Sequence, residues 1–288
     1  MRIRLITVPY DSAHRDVRMG AGPGYLLRSG LVKRLEARGH GVRVTEVAAA
    51  PDDFPAEVGT AFELQRRLAA VVREAVDAAE LPVVLAGNCN TAVGTVAGLG
   101  PRGTGAREVV WLDAHGDFNT PETTIGGFLD GMAIAMLTGG CWRRMTAGVE
   151  GFAPVAEEAI LLVGARDLDP LEAERLAASR IRRIGPEDAA ARLAAVLAPR
   201  DAGAYLHLDL DVLDPAEAVV NGYAAPGGLA AAEVEAIIKS LGERRRIEAV
   251  AVTALDPSLD ADGRAAAVAC RLVEAAVDAA RMGQAPDP

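Results

Sequence analysis

Short runs of β-branched and aliphatic residues alternate along the chain with longer stretches in which Ala, Leu, Arg and Glu recur. The runs predict strands at 3–8, 42–46, 83–86, 108–112, 160–163, 181–184, 204–209 and 249–253. The stretches between them predict helices at 24–38, 56–79, 91–98, 131–138, 170–178, 187–197, 230–241 and 264–281. Residues 56–79 repeat apolar side chains at helical spacing with Arg and Glu between them, the pattern of a helix with one buried face. Strands alternating with helices imply βαβ units and a mainly parallel sheet covered on both faces, an α/β fold. No repeat or low-complexity tract divides the sequence. The Pro/Gly-rich piece at 99–106 reads as a connection and the tail after Arg281 as a frayed end. Residues 1–288 are therefore expected to form one domain.

Composition narrows the function. Half of the 288 residues are hydrophobic but only 4% are aromatic, so Ala, Val and Leu must fill most of the core. A net charge of −10 argues against a general binder of nucleic acid or of anionic membranes. No run approaches the ~18 apolar residues of a membrane span, and the N-terminal apolar run is too short for a signal peptide. A soluble, cytoplasmic protein is expected. The three cysteines, Cys89, Cys141 and Cys270, have neither metal-finger nor redox-pair spacing, and Cys141 and Cys270 read as small core residues.

The chemistry concentrates at two strand ends. Asp113, His115 and Asp117 follow the apolar run Val109-Val-Trp-Leu112 at intervals of two, so an extended chain would present them toward one point. Asp209-Leu-Asp211 ends a second apolar strand. Ligands of open α/β sheets bind outside such carboxyl ends. An oxygen-rich set with one imidazole suits a hard or borderline ion such as Mn²⁺. Without cations these groups would repel one another. Two ions ~3.5–4 Å apart would share carboxylates and hold a water as hydroxide, a nucleophile usable at neutral pH. A lone Asp-x-Asp is commonly a turn or a helix cap; two such clusters, each directly after a buried strand, favour the metal reading.

At this point the chain resembles the arginase/agmatinase ureohydrolase family. Trp111-Leu-Asp-Ala-His-Gly-Asp-Phe-Asn-Thr-Pro121 is similar to that family's central metal motif, and His207-Leu-Asp-Leu-Asp-Val-Leu-Asp-Pro215 to its second, followed by Pro226-Gly-Gly-Leu229. Gly164-Ala-Arg-Asp-Leu-Asp-Pro170 resembles the segment that helps bind the substrate's amino-acid end, and Arg18-Met-Gly-Ala-Gly-Pro23 the N-terminal turn. The resemblance implies a three-layer α/β/α fold with an eight-stranded sheet, two Mn²⁺ ions, a small guanidino substrate and hydrolysis of its C–N bond. It implies one ion held by Cys89, Asp113, Asp117 and Asp209, and the other by Asp113, His115, Asp209 and Asp211. It places Asn119, Thr124 and Asp169 near the α-amino and α-carboxylate groups of an amino-acid substrate. Self-association into a homo-oligomer is expected on the same ground.

Four departures from the family pattern bear on the substrate. Cys89, in Ala86-Gly-Asn-Cys-Asn90, stands where a His normally completes one metal site; it is either a thiolate ligand of softer character or a buried neutral thiol beside a weak site. Asp130, in Phe128-Leu-Asp-Gly131, replaces a His that shuttles protons; it is either a proton donor with a raised pKa or a loop residue that turns the chain. Near Val252-Thr-Ala-Leu-Asp-Pro257 no Glu replaces the carboxylate that pairs with the guanidinium, and Asp256 before Pro257 reads as a turn residue. Asn221-Gly-Tyr223 fills a segment that is usually smaller, and Gly126 replaces a hydroxyl residue.

A cysteine at this motif is a feature of family members that hydrolyse Nω-hydroxy-arginine. The resemblance therefore implies a modified arginine of that kind. The alternatives are another guanidino or formimino compound, or a binding protein that kept the fold without catalysis. His207 reads as a core histidine, His14 as a solvated loop residue, and Glu172 as stabilising the start of its helix.

Overall fold

The computed structural model describes residues 1–50, 56–101, 107–197 and 202–282. The tail beyond Met282 and most of the 99–106 connection lie outside these residues.

Eight parallel strands form one sheet: β1 (Arg2–Val8), β2 (Gly41–Glu46), β3 (Leu81–Ala86), β4 (Glu108–Leu112), β5 (Ile160–Val163), β6 (Arg182–Ile184), β7 (Gly203–Asp209) and β8 (Arg246–Thr253). Their spatial order is β2-β1-β3-β8-β7-β4-β5-β6. All eight lie where the apolar runs place them, with ends moved by up to three residues. Glu248 lies inside β8.

Alternation along each strand sorts its side chains into two cores. Leu5, Val83, Val110, Leu206 and Val250 face one layer, with α1 (Gly22–Arg28), α2 (Leu31–Ala37), α8 (Ala189–Val196), α9 (Ala231–Arg244) and α10 (Arg264–Met282). Ile6, Val84, Trp111, Tyr205 and Ala251 face the other, with α3 (Glu57–Asp77), α4 (Ala92–Leu99) and α5 (Ala133–Leu137). The short α6 (Arg143–Thr146) and α7 (Pro170–Ala178) complete the helices.

The single helix expected at 24–38 is instead two. Gly30 takes φ +87°, a left-handed conformation that ends α1 and lets α2 start in a new direction. Sequence reading also omitted α6 and a small hairpin pairing Tyr10–Asp11 with His14–Arg15. Among the described residues no helix is long and apolar enough to cross a membrane.

Candidate metal centre

The order of the sheet brings the ends of β3, β4, β7 and β8 side by side at its middle. Asp209 is the last residue of β7, Asp113 follows β4 directly, and Cys89 starts the turn that joins β3 to α4. Cys89 and Asp209 line the floor of a cavity of about 340 Å³, with Asp113 buried against them. Ligand atoms of Cys89, Asp113 and Asp117 lie within 4.8 Å of one another, and so do those of Asp113, His115 and Asp211. Asp113 is common to both groups. Asp209 joins them through Oδ2, 2.9 Å from Cys89 Sγ, while its Oδ1 accepts the backbone N–H of Asp211 at 2.8 Å.

Local hydrogen bonds fix the carboxylates of Asp113 and Asp211. Asp113 Oδ2 accepts from the Trp111 indole at 2.9 Å, and its Oδ1 from the His115 backbone N–H at 2.7 Å. Asp211 Oδ1 accepts from Ala114 N–H, and its Oδ2 from the Asn221 amide at 3.1 Å. His115 Nδ1 lies 3.2 Å from Asp113 and 3.4 Å from Asp211. Asp117 sits at φ +47°, a strained left-handed turn, and its buried Oδ2 has no hydrogen-bond partner. Arg166 braces the layer above, with its guanidinium donating to the carbonyls of Asp211, Leu213 and Ala225.

The electrostatics follow from burial. Desolvation, and then the neighbouring carboxylates, push Asp113, Asp117 and Asp209 above the usual carboxylate range. Burial and the charges of Asp209, Asp130, Asp117 and Asp113 likewise raise the Cys89 thiol. Asp211 is opposed by desolvation too, but its bonds to His115 and Asn221 bring it down to about 2. For His115, desolvation is outweighed by Asp113 and Asp211, and its pKa is raised. A group of buried carboxylates with an orphaned oxygen, one imidazole and one thiol is a donor set that fits divalent cations.

Asn119, Thr124, Asp130 and Asp169, expected from sequence on the substrate side, line the same cavity. Asn119 Nδ2 donates to Asp169 Oδ2 at 3.1 Å, and Thr124 Oγ1 accepts the Gly127 N–H. Asp130 accepts from Asn90 N–H at 2.8 Å and from the Asn88 amide at 2.9 Å. Desolvation nevertheless raises it to about 7. Phe128 and Tyr223 stack at the mouth with centroids 5.6 Å apart, and Ile125 beside them is 77% exposed.

Asp256 accepts from Ser258 at the start of a turn and does not line the cavity, whose wall is formed there by Ala254. Asp214 holds the turn by accepting from Ala216, Gly227 and Gly228. Glu172 has two roles: its carboxylate accepts the Phe118 N–H at 2.8 Å, and it also lines the cavity. His14 is exposed on the hairpin, and His207 is fully buried, pushed down to about 3 by desolvation. Sequence reasoning gave no role to Asn88 or Asn221, whose amides hold Asp130 and Asp211. The only signal for either is a polar residue beside a motif, which is not enough to pick it out.

The arginase family model matches residues 1–278. The chain is 29% identical over 263 residues to an arginase of Bacillus caldovelox, covering 85% of this chain and 87% of that one. It is 32% identical over 203 residues to the N(omega)-hydroxy-L-arginine amidinohydrolase of Streptomyces lavendulae, covering 69% of each. The crystal structure of arginase from Bacillus cereus superposes with a TM-score of 0.85 at 28% identity, covering 96% of this chain and 98% of that one.

Proposed function

The chain belongs to the arginase family and is a hydrolase of C–N bonds in linear amidines that acts on guanidino substrates; from that premise we propose that its substrate is an N-hydroxylated arginine, Nω-hydroxy-L-arginine or a close analogue. The observation that carries this is the wall at the end of β8. Ala254 lines the cavity there, and Asp256, the one acidic residue of the segment 252–257, is turned toward Ser258. A guanidinium with no carboxylate on that wall loses a charge-assisted hydrogen bond from that side. An N-hydroxyguanidine is less basic and carries less positive charge at neutral pH, so that loss matters less to it. The similarity to the Streptomyces lavendulae protein supports the same reading.

Cys89, Asp113, Asp117 and Asp209 would hold one divalent ion, and Asp113, His115, Asp209 and Asp211 a second, with manganese as the proposed metal. Such ions, when bound, lower the pKa of water and polarise the scissile carbon's substituents. The remaining work falls to side chains. Asn119 and Asp169, joined across the cavity, take the α-amino end, with Thr124 beside them. Asp130 donates a proton to the leaving amine. Burial holds the Asp130 carboxyl above the usual carboxylate range, which favours the protonated form that a general acid needs. The Phe128–Tyr223 stack narrows the entrance and shields the reacting group from solvent.

The test compares arginine, agmatine and Nω-hydroxy-L-arginine with Mn²⁺-loaded protein, following urea or hydroxyurea together with the amine product, ornithine from the two amino acids and putrescine from agmatine. Preference for the hydroxylated substrate in kcat/KM is expected. Equal or better turnover of arginine would overturn the assignment.

A further inference from the structure

A layer of buried polar side chains lies directly beneath the metal centre and has no part in the mechanism above. Tyr205 and His207 are alternate residues of β7, and Thr253 is the last residue of the adjacent β8. All three are at most 1% exposed. The Tyr205 hydroxyl lies 2.8 Å from His207 Nδ1, His207 Nε2 lies 3.4 Å from Thr253 Oγ1, and Thr253 Oγ1 lies 3.0 Å from Cys89 Sγ. The His207 ring lies flat on Trp111, with centroids 3.6 Å apart and planes 6° from parallel. The imidazole is thus held on its face as well as at both nitrogens.

The direction of these bonds follows from the donors available. When the Tyr205 phenol donates to Nδ1, the single N–H of the neutral imidazole lies on Nε2. That N–H points at Thr253 Oγ1, and the threonine's own proton has two acceptors in reach, the Leu208 carbonyl at 3.5 Å and the nearer Cys89 sulfur at 3.0 Å. On its other side Cys89 Sγ faces Asp209 Oδ2 at 2.9 Å, the acceptor for a thiol proton. A cysteine side chain has three staggered rotamers. The hydroxyl of Thr253 and the carboxylate of Asp209 select the one that keeps Sγ within 4.8 Å of ligand oxygens of Asp113 and Asp117.

We propose that Thr253, backed by His207 and Tyr205, is a positioning residue for the Cys89 sulfur, aiming it into the carboxylate group so that it ligates a soft or borderline divalent ion. The inference rests on the reading of Cys89 as a ligand and adds the device that makes it one. Groups that hydrogen-bond to metal ligands commonly govern affinity by about 10- to 100-fold.

The test uses Co²⁺ added to metal-free protein, with the sulfur-to-cobalt charge-transfer absorption and the Co²⁺ binding isotherm as readouts, neither of which needs turnover. Thr253→Val removes the hydroxyl at nearly constant volume, Thr253→Ser restores it, and Cys89→Ser marks zero sulfur ligation. Thr253→Val is expected to weaken or shift the absorption and to lower affinity at that site at least tenfold, with Thr253→Ser close to wild type. If Thr253→Val does not melt cooperatively, His207→Phe, which keeps a ring on Trp111, carries the test with a severalfold loss expected. Wild-type absorption and affinity in these variants would overturn the inference alone. A wild type indistinguishable from Cys89→Ser would overturn Cys89 ligation, and the inference with it.

Discussion

The side-chain amide of Asn88 stands 2.9 Å from Oδ2 of Asp130, while the backbone N–H of Asn90 is 2.8 Å from the other oxygen. The two residues that flank Cys89 in sequence therefore hold the proposed proton donor, and the β3–α4 turn serves both the metal centre and the acid. Asn88 Nδ2 also lies 3.4 Å from the buried Asp11, whose other oxygen pairs with Arg18 at 2.9 Å. Asp130 is thus tied through Asn88 to the N-terminal turn.

If Asp130 supplies the leaving-group proton, Asp130→Asn removes that proton while keeping size and polarity. The expected result is a fall in kcat of about 10²- to 10⁴-fold, the usual range for a general acid, with KM changed only a few-fold. Steady-state kinetics on the preferred substrate decide it. A kcat within threefold of wild type would mean that water protonates the amine and that Asp130 only shapes the loop.

The same carboxylates set how metal-free stability depends on pH. Asp130 is raised to about 7, and Asp113, Asp117 and Asp209 are raised as well. Folded protein therefore binds more protons than unfolded, and this contribution is complete below the unfolded carboxylate value and lost as pH rises through the folded values. His115, also raised, acts in the same direction. His207, lowered to about 3, and His40, also lowered, act in the opposite direction, but only below the ordinary histidine value. Between about pH 6.5 and 8 the metal-free melting temperature should fall, and Mn²⁺ should raise it more at pH 8 than at pH 6.5. Thermal melts with chelator and with Mn²⁺ test this. A flat metal-free curve would mean that the carboxylates share no strain.

The fold was legible because its strands are short apolar runs whose alternate residues, such as Val109 and Val110, feed different cores. The break at Gly30 was not, because a glycine inside an Ala/Leu/Arg stretch is tolerated in many helices and only the packing of α2 shows that it turns the chain. At the site, spacing two residues apart was enough to gather Asp113, His115 and Asp117. The supports were hidden, because Asn88, Asn221 and Thr253 act across 42, 10 and 164 residues of sequence separation respectively, and no local pattern encodes such pairings.

Helix packing offers a check on the fold that is independent of chemistry. Gly94 and Gly98 lie one turn apart on α4 and meet α3 backbone to backbone. A methyl group on Gly98 would come within 2.6 Å of the Ala69 carbonyl and 2.8 Å of Val72 Cγ1. Alanine is the better helix former, so propensity alone predicts a gain of up to about 1 kcal/mol for Gly98→Ala. Overpacking against a fixed backbone costs about 1–3 kcal/mol and should outweigh it. Urea denaturation should show a net loss; stabilisation would mean that α4 sits farther from α3.

Asp169 precedes α7, yet its carboxylate does not cap that helix and instead accepts from Asn119 at 3.1 Å across the cavity. A residue with no capping bond to lose can be changed with little effect on folding, which makes it a clean probe of substrate recognition. If Asp169 meets the α-amino group, Asp169→Ala should raise KM for an amino-acid substrate by roughly 10- to 100-fold, the loss of one charge-assisted hydrogen bond of about 1.5–3 kcal/mol. Its kcat should change far less, because the contact is made equally before and during the reaction. A guanidino compound lacking the amino-acid end should be indifferent to the change. If Asp169→Ala lowers turnover of both compounds equally, Asp169 organises the Asn119 loop and does not read the substrate.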